Sequence, residues 1–261
     1  MTKTIAVANQ KGGVGKTTTT INLGTALAAT GKRTLIIDLD PQGNASTGLG
    51  ISRVDRGVSV YQVLMGDDDL ADGIVHTAIP HLDLLPSTID LSGAELELAN
   101  MPQRSFQMRK TIVDSKAAQT YDYILIDCPP SLNLLTLNAM VAAGSVLVPL
   151  QCEFFALEGL SLLLRTVERI RNNFNPGLEI QGVVLTMYDR RNNLSDQVAT
   201  DVREYMGDKV YDTVIPRNVR MSEAPSYGKP ALLYDLRCSG SQAYVRLASE
   251  ILRRERLRHA A

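Results

Sequence analysis

The sequence predicts an α/β fold: a mainly parallel β-sheet with helices on both faces. Three observations carry this. Short apolar runs alternate with amphipathic stretches, several of the runs close on an aspartate, and the first leads through a glycine-rich loop into a helix. A chain of 261 residues suits one large domain, residues 1–261. Hydrophobic residues at 44% and charged residues at 21% exclude extensive disorder. No apolar run reaches the roughly 18 residues of a membrane helix. Residues 1–3 lead straight into the first apolar run, leaving no room for a signal peptide, so the expected location is cytoplasmic. Cys128, Cys152 and Cys238 lie far apart without a CxxC pair, so they read as small buried fillers, not a zinc or disulfide framework.

The elements follow in order. Residues 5–8 (Ile-Ala-Val-Ala) read as a buried parallel strand, and residues 18–29, with Ile21, Leu23 and Leu27, as a helix. Residues 34–37 are a second strand, ending in Asp38-Leu39-Asp40-Pro41-Gln42-Gly43-Asn44. Residues 51–110 are less regular, with a turn at 66–69 and a strand at 82–86. Residues 123–127 form a buried strand closing on Asp127, followed by Cys128-Pro129-Pro130 and a helix opening near Ser131 or Leu132. A strand at 146–150, a helix at 157–173, a strand at 180–186 and a helix at 194–206 continue the alternation, which calls for right-handed crossovers. The last helix, about 241–258, places Tyr244, Leu247, Ala248, Ile251 and Leu252 on a core-facing side and leaves its arginine end in solvent.

Chemistry concentrates at Lys11-Gly12-Gly13-Val14-Gly15-Lys16-Thr17-Thr18. Between a strand and a helix, successive backbone N–H groups and the helix N-terminus converge on one point and can hold a polyphosphate. The usual phosphate-loop pattern would put glycine at position 10, where this chain has Gln10. Lys16 is spaced to reach the β- and γ-phosphates and the Thr17 hydroxyl to hold Mg²⁺. Lys11 is a surplus cation in that scheme. Asp38 and Asp40, just past a strand's C-terminal end, face the ligand crevice. Asp127 closes a hydrophobic strand, the arrangement that holds Mg²⁺ in P-loop NTPases. Net charge is −1, but residues 217–258 hold nine basic against four acidic residues, a local excess suited to an anionic polymer.

The Lys11–Thr17, Asp38–Asn44 and Asp127-Cys128-Pro129-Pro130-Ser131 motifs, in this order, make the chain resemble the deviant-Walker-A ATPases. Pro149-Leu150-Gln151-Cys152-Glu153, Leu185-Thr186-Met187-Tyr188-Asp189 and the stretch Ile215 to Ser226 resemble the ParA/Soj branch, the chromosome- and plasmid-partitioning ATPases. The resemblance spans essentially the whole chain. It implies ATP and Mg²⁺ as cofactors and an ATP-dependent homodimer, in which Lys11 crosses to the nucleotide of the facing subunit. It implies that Asp40 positions or activates the attacking water, that Asp38 belongs to the Mg²⁺ and switch network, and that Asp127 acts on the metal directly or through water. It places Pro216, Arg217 and Asn218 near the adenine. Arg191 and Arg220, with Arg190 as a weaker addition, are the DNA contacts it implies, to phosphates and therefore nonspecific. A ParB-type partner would stimulate hydrolysis, and the protein would be nucleoid-associated. Alternatives from the same loop are a membrane-cycling ATPase of the MinD type, a kinase-like or ligase-like P-loop enzyme, and an iron–sulfur reductase relative. The MinD type would need bulky apolar residues free on a C-terminal helix, where residues 256–261 offer one leucine.

Overall fold

The computed structural model describes residues 2–260, with side chains through Arg258. Of the expected domain, Met1 and Ala261 therefore lie outside the described residues, as do the side chains of His259 and Ala260. Seven strands form one sheet: β1 (Lys3–Val7), β2 (Thr34–Asp38), β3 (Val75–His76), β4 (Leu82–Leu85), β5 (Tyr123–Asp127), β6 (Ser145–Gln151) and β7 (Glu179–Thr186), in the order β3-β4-β2-β5-β1-β6-β7. Every pairing is parallel except β3 with β4.

Long helices connect the strands: α1 (Lys16–Ala29) follows β1, α7 (Leu134–Ala142) follows β5, α8 (Ala156–Asn173) follows β6 and α9 (Asn193–Met206) follows β7. Between β2 and β5 lie the shorter α2 (Asn44–Gly48), α3 (Val60–Met65), α4 (Leu70–Gly73), α5 (Ala94–Ala99) and α6 (Gln107–Asp114). After α9 come α10 (Val219–Glu223), α11 (Ala231–Tyr234) and the final α12 (Ser239–Ala260). Predicted element bounds are met within one or two residues, with one larger departure. The helix after Asp127 opens at Leu134 instead of near Ser131 or Leu132, because Asn133 takes the capping position and its side chain accepts from the Thr136 amide.

Strand residues alternate between two cores, which is why the strands read as continuous apolar runs. Ile5 and Val7 join Ile36, Leu125 and Leu147 under α1 and α12, while Ala6 and Ala8 join Ile37, Ile126 and Val148 under α7 and α8. Helix α12 buries Tyr244, Leu247, Ala248 and Ile251 as expected and leaves Leu252 partly covered. Tyr244 bonds the Thr19 hydroxyl of α1 at 3.0 Å, tying the last helix to the first. Its arginine end is not all in solvent: Arg254 lies over the Tyr211 ring, 4.6 Å from the centroid, and pairs with Glu250 at 2.7 Å.

Register positions the site. Val7 sits level with Asp127, and Asp127 with Asp38 on the next strand. Three neighbouring strands thus end at one height, and the loop after β1 opens beside two carboxylates, where the strand order changes direction.

Candidate functional site at the phosphate loop

The loop from Asn9 to Gly15 is shaped by its own sequence and then clamped by its neighbours. Gly13 and Gly15 take positive φ angles of 76° and 90°, open to glycine at little cost, and Gly15 starts α1. Asn9 accepts from the Lys11 amide at 3.1 Å and donates to the Pro149 carbonyl of β6 at 2.8 Å. The Thr186 hydroxyl of β7 donates to the Val14 carbonyl at 2.8 Å. Residues 11–13 stay exposed, whereas Lys16 is buried and donates to the Lys11 carbonyl at 3.0 Å. Burial pushes the Lys16 ammonium below the usual lysine range, against the neighbouring carboxylates of Asp127 and Asp40, which favour it. An anionic ligand there would restore that balance.

The three carboxylates are buried differently. Asp127 is fully buried, with the Thr20 hydroxyl donating to its Oδ1 at 3.1 Å and the Thr17 side chain nearby. Its Oδ2 has no hydrogen-bond partner and no solvent. Burial, joined by the Asp38 charge, pushes its pKa upward. Asp38 is equally buried but satisfied: Oδ2 accepts from the Ser46 amide at 2.8 Å and its hydroxyl at 2.7 Å, and Oδ1 from the Asp40 amide at 3.4 Å. Burial raises its pKa as well, against the bonds from Ser46. Asp38 therefore anchors α2, whereas Asp127 has the open valence. Asp40 accepts from the Gln42 amide at 3.0 Å and is 8% exposed.

Among the described residues, no group of three or more His, Cys, Asp or Glu could cage a metal by itself. A Mg²⁺ ion held mainly by phosphates, water and one or two protein oxygens needs no such cage. The orphaned Asp127 Oδ2 beside the Thr17 hydroxyl fits that donor set.

A cavity of about 580 Å³ runs from Gly15 and Thr18 to Pro216, Arg217 and Asn218, with Thr186, Met187 and Tyr244 in its walls. The expected adenine segment is thus brought against the phosphate loop from 200 residues further along the chain. Asn218 is already engaged: its side chain accepts from the Arg220 amide at 2.9 Å, capping α10, and donates to Ser239 at 2.9 Å.

The expected DNA arginines are exposed but not all free. Arg191 chelates Asp189 with two bonds of 3.0 Å and holds that carboxyl well below the usual range. Arg220 pairs with Glu223 at 2.8 Å and lies 3.7 Å from Asp235. Arg190 is exposed and, among the described residues, forms no ion pair. Lys11 is paired with Glu153, which opens the turn before α8.

Several participants were missed in the sequence. Thr20 is one: an i+4 position after Lys16 could have flagged it, because it shares the helix face. Ser46 carried no signal. Arg56 is 6% exposed and ties the Asp38 loop to its surroundings through Thr47 at 2.7 Å and the Ser87 carbonyl at 2.9 Å.

A glycine-shaped phosphate loop, a buried lysine and a strand-end aspartate at the switch point of a parallel sheet define a P-loop NTPase fold and site. Comparison with known proteins narrows the class. The family model described as an AAA domain matches residues 2–180. The chain is 64% identical over 258 residues to the chromosome partitioning protein ParA of Caulobacter vibrioides, covering 99% of this chain and 97% of that one. It is 54% identical over 251 residues to the sporulation initiation inhibitor protein Soj of Bacillus subtilis, covering 96% and 98%. Among solved structures, cobyrinic acid a,c-diamide synthase of Mycobacterium smegmatis with bound ADP and magnesium superposes with a TM-score of 0.85 at 38% identity, covering 98% of this chain and 96% of that one. The chain belongs to the ParA/Soj family of chromosome-partitioning ATPases.

Proposed function

We propose that this chain, acting as one domain, is a Mg²⁺-dependent ATPase that works as a DNA-partitioning switch. The observation carrying the ATPase reading is the buried Asp127 oxygen without a partner, set beside Thr17 and the phosphate-loop lysine. The loop amides and Lys16 bind the phosphates, and the 216–218 segment borders the base. Thr17 with Asp127 would hold Mg²⁺, which would supply charge neutralisation at the phosphates. Asp40 positions a water whose oxygen bonds to the γ-phosphorus as the bond to the β,γ-bridging oxygen breaks. ADP takes that electron pair, and the water's proton passes to Asp40 or the released phosphate.

Lys11 reaches the γ-phosphate of a facing subunit, so the dimer depends on that phosphate and weakens when it is lost. Two copies bring Arg190, Arg191 and Arg220 from both chains onto one DNA, and avidity gives the pair a grip that one chain lacks. A ParB-type partner stimulates hydrolysis and releases the DNA, which places the protein in the cytoplasm on the nucleoid. The relatives named as chromosome-partitioning proteins support this reading over a membrane-cycling one. DNA retention with ATP tests the switch: Asp40→Ala is expected to hold DNA and Lys16→Ala to lose it. Equal retention by the two would refute the coupling, and a response to salt that is flat would refute phosphate-driven binding.

A further inference from the structure

Lys11 carries the charge that its own phosphate loop leaves unused, and in the single chain that charge is not idle. Its ammonium is paired with Glu153, 142 residues away, at the turn between β6 and α8. Both ends remain accessible, the Lys11 side chain 47% exposed and that of Glu153 31%. Phe154 and Phe155 follow directly, 75% and 61% exposed, their rings edge-on with centroids 5.1 Å apart. Adjacent exposed phenylalanines mark a surface that another molecule covers. They begin one residue after the carboxylate that grips Lys11, so whatever approaches Lys11 also approaches them.

We infer that the Glu153–Phe155 turn belongs to the surface that meets a second copy of this chain, and that Glu153 is a positioning residue acting there as a brake. The inference rests on the ATP-dependent dimer proposed above. In the single chain Glu153 keeps Lys11 on its own subunit. To reach across an interface, Lys11 must exchange this carboxylate for something more negative, and a γ-phosphate qualifies where the diphosphate end of ADP offers less charge at that position. Glu153 thereby raises the nucleotide threshold for assembly, while the phenylalanines lower it by losing contact with water. The contact is half-exposed, so the brake is graded and not a lock.

Sedimentation velocity across an ATP titration with Mg²⁺ separates these effects. Glu153→Gln is expected to reach half-dimer at about two- to fivefold lower ATP than the unaltered protein, the range an exposed ion pair can supply. That gain should vanish in the Lys11→Ala background, and Phe154→Ala with Phe155→Ala should raise the midpoint. A misfolded variant cannot produce the expected gain, and matching thermal melting curves guard the phenylalanine pair. An unchanged or higher midpoint for Glu153→Gln, or a gain that persists without Lys11, overturns the brake. A phenylalanine pair variant that dimerises like the unaltered chain overturns the surface. If the unaltered protein stays monomeric at every ATP concentration, it is the dimer reading beneath both that fails.

Discussion

Two buried carboxylates in different parts of the fold meet burial in contrary ways. Glu250, on α12, has its acceptor positions filled: the amides of Asp212 and Thr213 donate at 2.9 and 3.0 Å, and Arg254 pairs with it at 2.7 Å. Burial would raise its pKa, but those bonds and the Arg254 charge win, and the carboxyl is held below the usual range. Asp127, at the rim of the sheet, has one filled oxygen and one orphan, and burial wins. A satisfied buried carboxylate closes a corner of the fold. An unsatisfied one costs about 1–3 kcal/mol or more and persists where a ligand from outside the chain completes it.

The contrast can be broken at either end. Asp127→Asn carries the largest expected effect: ATP turnover should fall about 100-fold, the scale of one lost electrostatic contact at the transferring phosphate, while the ligand-free protein melts no lower, because the carboxyl that is replaced is buried with one oxygen unpartnered. A lower melting temperature with normal turnover would recast Asp127 as a structural residue. Glu250→Ala is expected to do the opposite. It should cost about 3 kcal/mol by leaving Arg254 and two amides without their acceptor, lowering the melting temperature by about 6–12 °C for a chain of this size, with turnover retained below the transition. Calorimetry and a phosphate-release assay on the same samples would compare the two directly.

The smallest effect is on acid stability. The folded pKa of Glu250 is depressed, so its contribution is fully present above the ordinary carboxylate range and is lost as pH falls through the folded value. Glu250→Gln should therefore flatten the loss of stability on the acid side relative to the unaltered chain. Melting temperatures between pH of about 6 and 3 would register this, and parallel curves for the two proteins would count against it.

What the sequence disclosed followed local rules. The two glycines, Lys16 and Thr17 stand at fixed spacing because one turn must wrap one phosphate, and Asp127 is visible because a parallel strand reads as an apolar run with a polar end. Thr20 was within reach of helical spacing yet looked like one more threonine in a row of four. Ser46 was not legible as the partner of Asp38, because a serine in a polar loop has many uses and only the fold of α2 aims this one. Arg56 reads in the sequence as a solvated charge, and its burial depends on carbonyls from residues 51 and 87 arriving beside it.

By itself the sequence determined the layered α/β architecture and the phosphate loop, since apolar periodicity and glycine placement act over a few residues and need no distant partner. The tertiary structure alone decided which charges are met. Lys11 with Glu153, Asp38 with Ser46 and the unpaired oxygen of Asp127 differ by ångströms of placement. Hydrogen bonds and Coulomb energy depend on those ångströms, and residue order along the chain does not record them.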